Sequence, residues 1–168
     1  MFLYYSLFVA LIVIADQVAK YFTVLYIPAA GAQPFIPGIL QITYVRNTGA
    51  AFSSFEGQQW LFALIFLVLT GLIFWEYFKK PMGFTKLERF CIAAIYGGGL
   101  GNMIDRVRLG YVVDMFHLTF WPSYPVFNVA DICIVGGAVL GAVYYLWFYE
   151  KYDKKGISHG NPDAASQF

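Results

Sequence analysis

Residues 3–27 read LYYSLFVALIVIADQVAKYFTVLYI, an apolar run broken only by the charges of Asp16 and Lys20. A helix of this length rises about 37 Å, enough to cross a hydrocarbon core about 30 Å thick. Asp16 stands four residues before Lys20, the order that favours an ion pair on one helical face. Charges at membrane depth usually find partners, so the two are expected to pair structurally. Nothing basic precedes the run, no small-residue cleavage site follows it, and the two charges interrupt it. The segment is therefore expected to stay in the mature chain as a span and not to act as a cleaved leader.

Outward from this run, three further stretches are apolar enough to cross a membrane: 59–78, 88–105 and 127–149. The third span of the four is short and rich in glycine. Hydrophobic residues make up 60% of the 168 and charged residues only 12%, and the charges cluster between the apolar runs. That is the composition of a membrane protein. The expectation is a mainly α membrane protein with four transmembrane helices and a small extracytoplasmic β-sheet. A single integral-membrane domain covers 1–155, and a polar, glycine-containing tail covers 156–168. A net charge of +1 argues against a surface that neutralises many phosphates, so no nucleic-acid partner is expected.

Short-loop charges set the orientation. Lys79, Lys80, Lys86 and Arg89 lie between spans two and three, and Lys151, Lys154 and Lys155 follow span four. The loops 28–58 and 106–126 hold only Arg46, Arg106 and Arg108. The positive-inside rule places both termini in the cytoplasm and these two loops outside. Within them, residues 35–45 combine β-branched and aromatic side chains with prolines and a glycine, which reads as one or two short strands. Residues 110–116 have a similar character and can carry Asp114 on a strand. Trp121, Tyr124 and Phe127 then return to the interface, where amphipathic aromatics are favoured.

Gly97, Gly98, Gly99 and Gly101 crowd span three, and Gly137 and Gly141 form a small-xxx-small pair in span four. Small residues of this kind let helices approach closely. The outer ends of spans three and four would thereby be brought together. No internal repeat is visible, which lowers the case for an inverted-repeat transporter. Cys91 and Cys133 fall inside spans and read as packing residues.

Two carboxylates at the outer edges of spans, Asp114 and Asp131, are the chemical signal, because an ionisable group there is a functional-site hypothesis by default. Asp131 falls in the first turn of span four with Asn128 as its cap, where the helix dipole and free N–H groups favour the ionised form. Asp114 lies in an apolar segment whose desolvation favours the protonated form, and a second carboxylate nearby adds to that. Such a pair shares a proton. It can hold a water, remove its proton during attack on an amide carbon, and protonate the carbonyl oxygen. Zinc hydrolysis lacks ligands, with only His117 and His159 in the chain, and there is no G-x-S-x-G elbow. A Ser/Lys pair is open through Ser53 or Ser54 with Lys20. Residues 46–53 read as a turn around Asn47 and Gly49. Asp105 with Arg106 or Arg108 reads as an interfacial ion-pair cluster.

The ordered blocks Asp16-Gln17-x-x-Lys20, Arg46-Asn47-Thr48-Gly49-Ala50-Ala51-Phe52-Ser53, Gly98-x-x-Gly101-Asn102-x-x-Asp105-Arg106, Gly110-x-Val112-Val113-Asp114 and Phe127-Asn128-x-Ala130-Asp131 resemble those of the bacterial lipoprotein signal peptidases, or signal peptidase II. Five blocks in order across nearly the whole chain are far more specific than one short motif. The resemblance implies an intramembrane aspartic endopeptidase of the bacterial cell membrane. Its substrates would be diacylglyceryl-modified prolipoproteins, cut just before the lipidated cysteine. Asp114 and Asp131 match the catalytic pair. Asp16, Lys20, Asn47, Gly49, Asn102, Arg106, Asn128 and Ala130 match substrate-binding or supporting positions. No metal and no cofactor is implied, and the chain is expected to work as a monomer among membrane lipid. Phenylalanine usually follows the first aspartate of the family and serine often follows the second. Here those places hold Met115 and Ile132. Phe52 and Phe55 are expected near the mouth of the groove. Beside this reading stand a small proton or ion carrier using Asp16, Lys20, Asp105 and the outer carboxylates as a relay, and an assembly subunit whose charges only orient helices.

Overall fold

The computed structural model describes residues 2–29, 31–49, 58–79 and 85–149. Four long helices and a small sheet follow one another as α1 (Phe2–Tyr26), β1 (Ala32–Ile36), β2 (Leu40–Asn47), α2 (Gln59–Lys79), α3 (Lys86–Leu109), β3 (Val112–Leu118) and α4 (Val129–Tyr144). A π-helical turn, Tyr145–Tyr149, extends α4. Among the described residues, Leu3–Tyr26 and Val129–Trp147 are long and apolar enough to cross a membrane, and Trp60–Ile73 is a shorter apolar stretch. The polar tail, Ser53, Ser54, Phe52, Phe55 and His159 lie outside the described residues.

The helix ends follow capping chemistry more closely than hydropathy. Thr85 and Glu88 form a capping box that starts α3. Gly110 closes the helix at φ 78°, in the left-handed region that glycine enters without steric cost. The helix therefore runs beyond the expected 88–105 at both ends and carries Arg106 with it. Span four was expected from 127, yet α4 begins at 129. Phe127 is held in extended form by a backbone bridge to Phe116, and Asn128 caps the helix.

The sheet is antiparallel in the order β1-β2-β3. Its β2–β3 register pairs Val45 with Asp114 and Asn47 with Val112, with an irregularity between Ile42 and Val45. Strand alternation then sends Asn47 and Asp114 to one face and Val113 and Met115 to the other. On that second face Val113, Met115, Tyr44 and Ile27 form a buried cluster that seats the sheet on the C-terminal end of α1. Met115 thus points away from Asp114's side, and Thr23 Oγ1 donates to its sulfur at 3.5 Å. Ile132, the other departure from the family pattern, is exposed.

Glycines set how closely α3 meets its neighbours. A Cβ on Gly98 would strike the Ala130 carbonyl oxygen and lie 2.8 Å from Ile134. One on Gly101 would lie 2.7 Å from Asp16 Oδ2. Both distances are below any real Cβ contact, so α1 and α4 reach α3 only because these positions lack side chains. Gly137 fits Cys91 and Ile95 in the same way, and Cys91 is a buried packing residue as expected.

Candidate active site

The end of β2, the C-terminal halves of α1 and α3, the middle of β3 and the start of α4 converge on two carboxylates. Asp114 is almost fully buried, at 2% exposure. Its Oδ2 accepts from Asn47 Nδ2 at 2.8 Å and its Oδ1 from Asn128 Nδ2 at 2.6 Å. Asp131 completes the capping box of α4. Its backbone N–H donates to Asn128 Oδ1 at 2.9 Å, and its Oδ2 accepts from the Asn128 N–H at 3.2 Å. Its Oδ1 accepts from Asn102 Nδ2 at 2.8 Å. Asn128, fully enclosed, therefore touches both acids at once.

Burial pushes the Asp114 carboxyl from 3.8 up to about 6. The Asn47 hydrogen bond opposes this, the charge of Asp131 reinforces it, and the Asn128 hydrogen bond and the Lys20 charge oppose it again. Asp114 can therefore hold a proton near neutral pH, a property suited to a general acid.

Behind the acids lies a second polar layer. Lys20 Nζ contacts Asp16 Oδ2 at 2.8 Å, Asp105 Oδ2 at 3.0 Å and Asn102 Oδ1 at 2.9 Å. The expected Asp16–Lys20 pair is present. Asp105 does not join Arg106 or Arg108 in a surface cluster; it turns inward to Lys20, to the Val113 N–H at 3.0 Å and to Gln17 Nε2 at 2.9 Å. A buried ammonium attracts a carboxylate more strongly than the exposed Arg108 does in water, and the Arg106 guanidinium is turned to Phe62 and Gly49. Asp16 Oδ1 accepts from the Ala130 N–H at 2.9 Å, which ties α1 to the first turn of α4.

Asp114 and Asp131 open onto one cavity of about 600 Å³. Asn47, Gly49, Asn102 and Arg106 share its polar rim. Arg106 lies over the Phe62 ring, its Cζ at 4.4 Å from the centroid, and donates to the Gly49 carbonyl at 3.2 Å. Its buried Nε–H has no partner among the described residues. Gly49 also donates its N–H to Asn47 Oδ1 at 2.9 Å, the turn expected there. Away from the acids the cavity becomes an apolar groove walled by Phe62, Ile65, Phe66 and Leu69 of α2, Ile92 and Ile95 of α3, and Ile134 of α4.

All ten residues singled out in the sequence thus gather at this end of the molecule. Asn47, Gly49, Asn102, Arg106, Asp114 and Asp131 line the cavity, while Asp16, Lys20, Asn128 and Ala130 stand behind it. Reading by residue type missed Gln17 and the Val113 N–H as partners of Asp105. Gln17 and Asp105 do fall within the motif blocks, and that is the signal that could have found them. Among the described residues no group of three or more His, Cys, Asp or Glu side chains is placed to hold a metal.

An acid pair thus stands at one end of a helical bundle, beside an apolar groove. Residues 8–148 match the family model of signal peptidase (SPase) II. Lipoprotein signal peptidases from two strains of Streptococcus pyogenes are each 40% identical to the chain over 142 residues, covering 84% of it and 91% of the relative. A bacterial membrane enzyme solved by the in meso method at 2.3 Å superposes with a TM-score of 0.78 at 28% identity, over 94% of this chain and 92% of that one. A second, solved at 1.9 Å, gives 0.76 at 30% identity, over 86% and 93%. The chain belongs to the signal peptidase II family, the proteases that process lipoproteins. Membership in that family sets aside the carrier and scaffold readings.

Proposed function

We propose that the chain is an intramembrane aspartic endopeptidase that removes the signal peptide from diacylglyceryl-modified prolipoproteins, cutting just before the lipidated cysteine. The observation that carries this reading is that Asp114 and Asp131 face one cavity and are both anchored from behind by Asn128. A water between them loses a proton to Asp131 as its oxygen attacks the amide carbon, and Asp114 passes its proton to the carbonyl oxygen. The tetrahedral adduct then collapses as the proton on Asp131 moves to the leaving nitrogen and the hydroxyl proton returns to Asp114. Neither step needs a metal or a covalent enzyme intermediate. The Arg106 Nε–H, buried at the rim without a partner among the described residues, offers a donor to a neighbouring substrate carbonyl.

The apolar groove suits the rest of the substrate. From Ile92 to Asn102 it follows eleven residues of α3, about 15 Å of helix, long enough to hold apolar signal-peptide side chains or part of an acyl chain. We further propose that all four helices span the membrane as one domain, with both termini cytoplasmic and the acids toward the outer face. The 21 residues of α2 and 24 of α3 correspond to about 31 and 36 Å of helix. The same proposal takes the chain to work as a monomer.

The test compares wild type with Asp114→Asn and Asp131→Asn on a diacylglyceryl-modified and an unmodified precursor. Each substitution should lower cleavage of the lipidated precursor by at least about 10³-fold, the scale of lost general acid or base catalysis, while insertion and thermal unfolding stay as in wild type. Wild type should spare the unmodified precursor. Turnover near wild type by either variant refutes the dyad.

A further inference from the structure

Asp16, Lys20 and Asp105 form a buried cluster that does not touch the reacting atoms. Besides the backbone bonds to Ala130 and Val113, the cluster reaches the acids through the Asn102 side chain, and donor and acceptor chemistry fixes how that side chain stands. An ammonium donates and accepts nothing. At 2.9 Å from Lys20 Nζ, the Asn102 atom must be the carbonyl oxygen, and the amino group is left facing Asp131 Oδ1 at 2.8 Å. Backbone groups, which are equally unambiguous, fix the two other asparagines. The Asp131 N–H requires Asn128 to present its oxygen there, so its amino group faces Asp114 and Asn102. The Gly49 N–H requires the same of Asn47, whose amino group then faces Asp114. Three amides thus deliver N–H donors to the acid pair, and Asn102 alone takes its orientation from side chains, the Lys20 ammonium at 2.9 Å and the Asn128 amino group at 3.1 Å.

We propose that Lys20 is a positioning residue for peptide hydrolysis: its ammonium locks the Asn102 amide so that the amino group holds Asp131 Oδ1, leaving that carboxylate turned to the cavity. The inference rests on the dyad reading above. Without the lysine only the longer bond from the neutral Asn128 amino group still holds the Asn102 oxygen, and each time the amide flips its oxygen turns on Asp131, replacing a hydrogen bond with repulsion between two acceptors. Asp131 then leaves its orientation toward the water. Asp16 and Asp105 keep the ammonium in place, and they account for both of its remaining donors.

Two roles of Lys20, donor and positive charge, separate by mutation. The charged groups of the described residues around the dyad are Asp16 and Lys20 from α1, Asp105 and Arg106 from α3, Asp131 from α4 and Asp114 from β3. Lys20→Met/Asp105→Asn removes one charge of each sign, so the net charge around the acids is unchanged while the donor to Asn102 is lost. The double variant should show kcat reduced at least about 30-fold with KM within about threefold, and an alkaline pH limb where wild type has it. Lys20→Arg, which keeps a cationic donor, should retain kcat within about tenfold. Wild-type kcat in the double variant overturns the proposal, because Lys20 then serves only charge balance. Failure of the double variant to insert, with Lys20→Arg inserted and fully active, overturns it as well, by making the lysine a folding element. The outcome is separate from that for the dyad, which stands or falls with Asp114→Asn and Asp131→Asn.

Discussion

The two sides of the acid pair are built on opposite principles. Toward α1, every donor of Lys20 meets an acceptor, and glycines at 98 and 101 bring the helices close enough for those bonds to form. Toward α2, the wall is apolar, α2 meets the rest of the fold mainly through α3, and a cavity of about 600 Å³ lies between. Buried polar networks with every member satisfied are rigid, whereas apolar surfaces accept varied shapes. The comparison assigns chemistry to the first side and accommodation of many signal peptides to the second. Perturbing the wired side should therefore change kcat, and perturbing the apolar side should change KM.

The largest effect should come from prising open the wired side without touching a polar group. In Gly98→Ala the new methyl meets the Ala130 carbonyl and Ile134. The helix carrying Asp131 must move away from α3, which stretches the Asn102 to Asp131 hydrogen bond and the Asp16 to Ala130 bond together. Overpacking of this kind costs about 1–3 kcal/mol. Thermal unfolding should move down accordingly, and kcat should fall about 100-fold, because misplacement by about 1 Å is enough for such a loss. Normal kcat would mean that the α3–α4 distance does not control the acids.

A smaller effect is expected on the apolar side. Leu69 is half-exposed and faces the groove from α2. Leu69→Asn places an amide where the substrate offers no partner, and leaving a polar group unpaired on binding costs about 1–3 kcal/mol. KM for a lipidated precursor should rise about tenfold or more with kcat within about threefold, measured in matched lipid. A fall in kcat at constant KM would erase the division of labour between the two walls.

The sequence disclosed the two sides unequally, for physical reasons. The helices were visible as apolar runs, and the Asp16–Lys20 pair and the Asn128 cap were visible because their partners lie four and three residues away. Asp114 on a strand was legible from its β-branched neighbours. The inward turn of Asp105 was not, since Lys20 and Gln17 lie more than eighty residues earlier and nothing local prefers them to Arg106 or Arg108. The helix limits of α3 and α4 are not a matter of hydropathy, because capping by Thr85, Gly110 and Asn128 decides them. The groove was invisible for a further reason: an apolar residue facing lipid and one facing a substrate look alike in composition.

The subtlest consequence concerns the proton, and it tests whether the rim of the cavity belongs to the wired side. The Asn47 amino group donates to Asp114 Oδ2 and favours the ionised carboxylate, opposing the burial that raises it to about 6. If protonated Asp114 is the acid, cleavage declines as pH rises through about 6 and that proton is lost. Asn47→Ala removes the donor, so the ionised form loses stabilisation, the carboxyl holds its proton to higher pH, and the alkaline limb of kcat/KM moves upward. The rate on the acidic side of the limb should drop less than about tenfold, because Asn128 still holds Oδ1. A limb that stays in place, or moves to lower pH, would show that Asp114 does not supply the proton and that the rim acts on substrate binding instead.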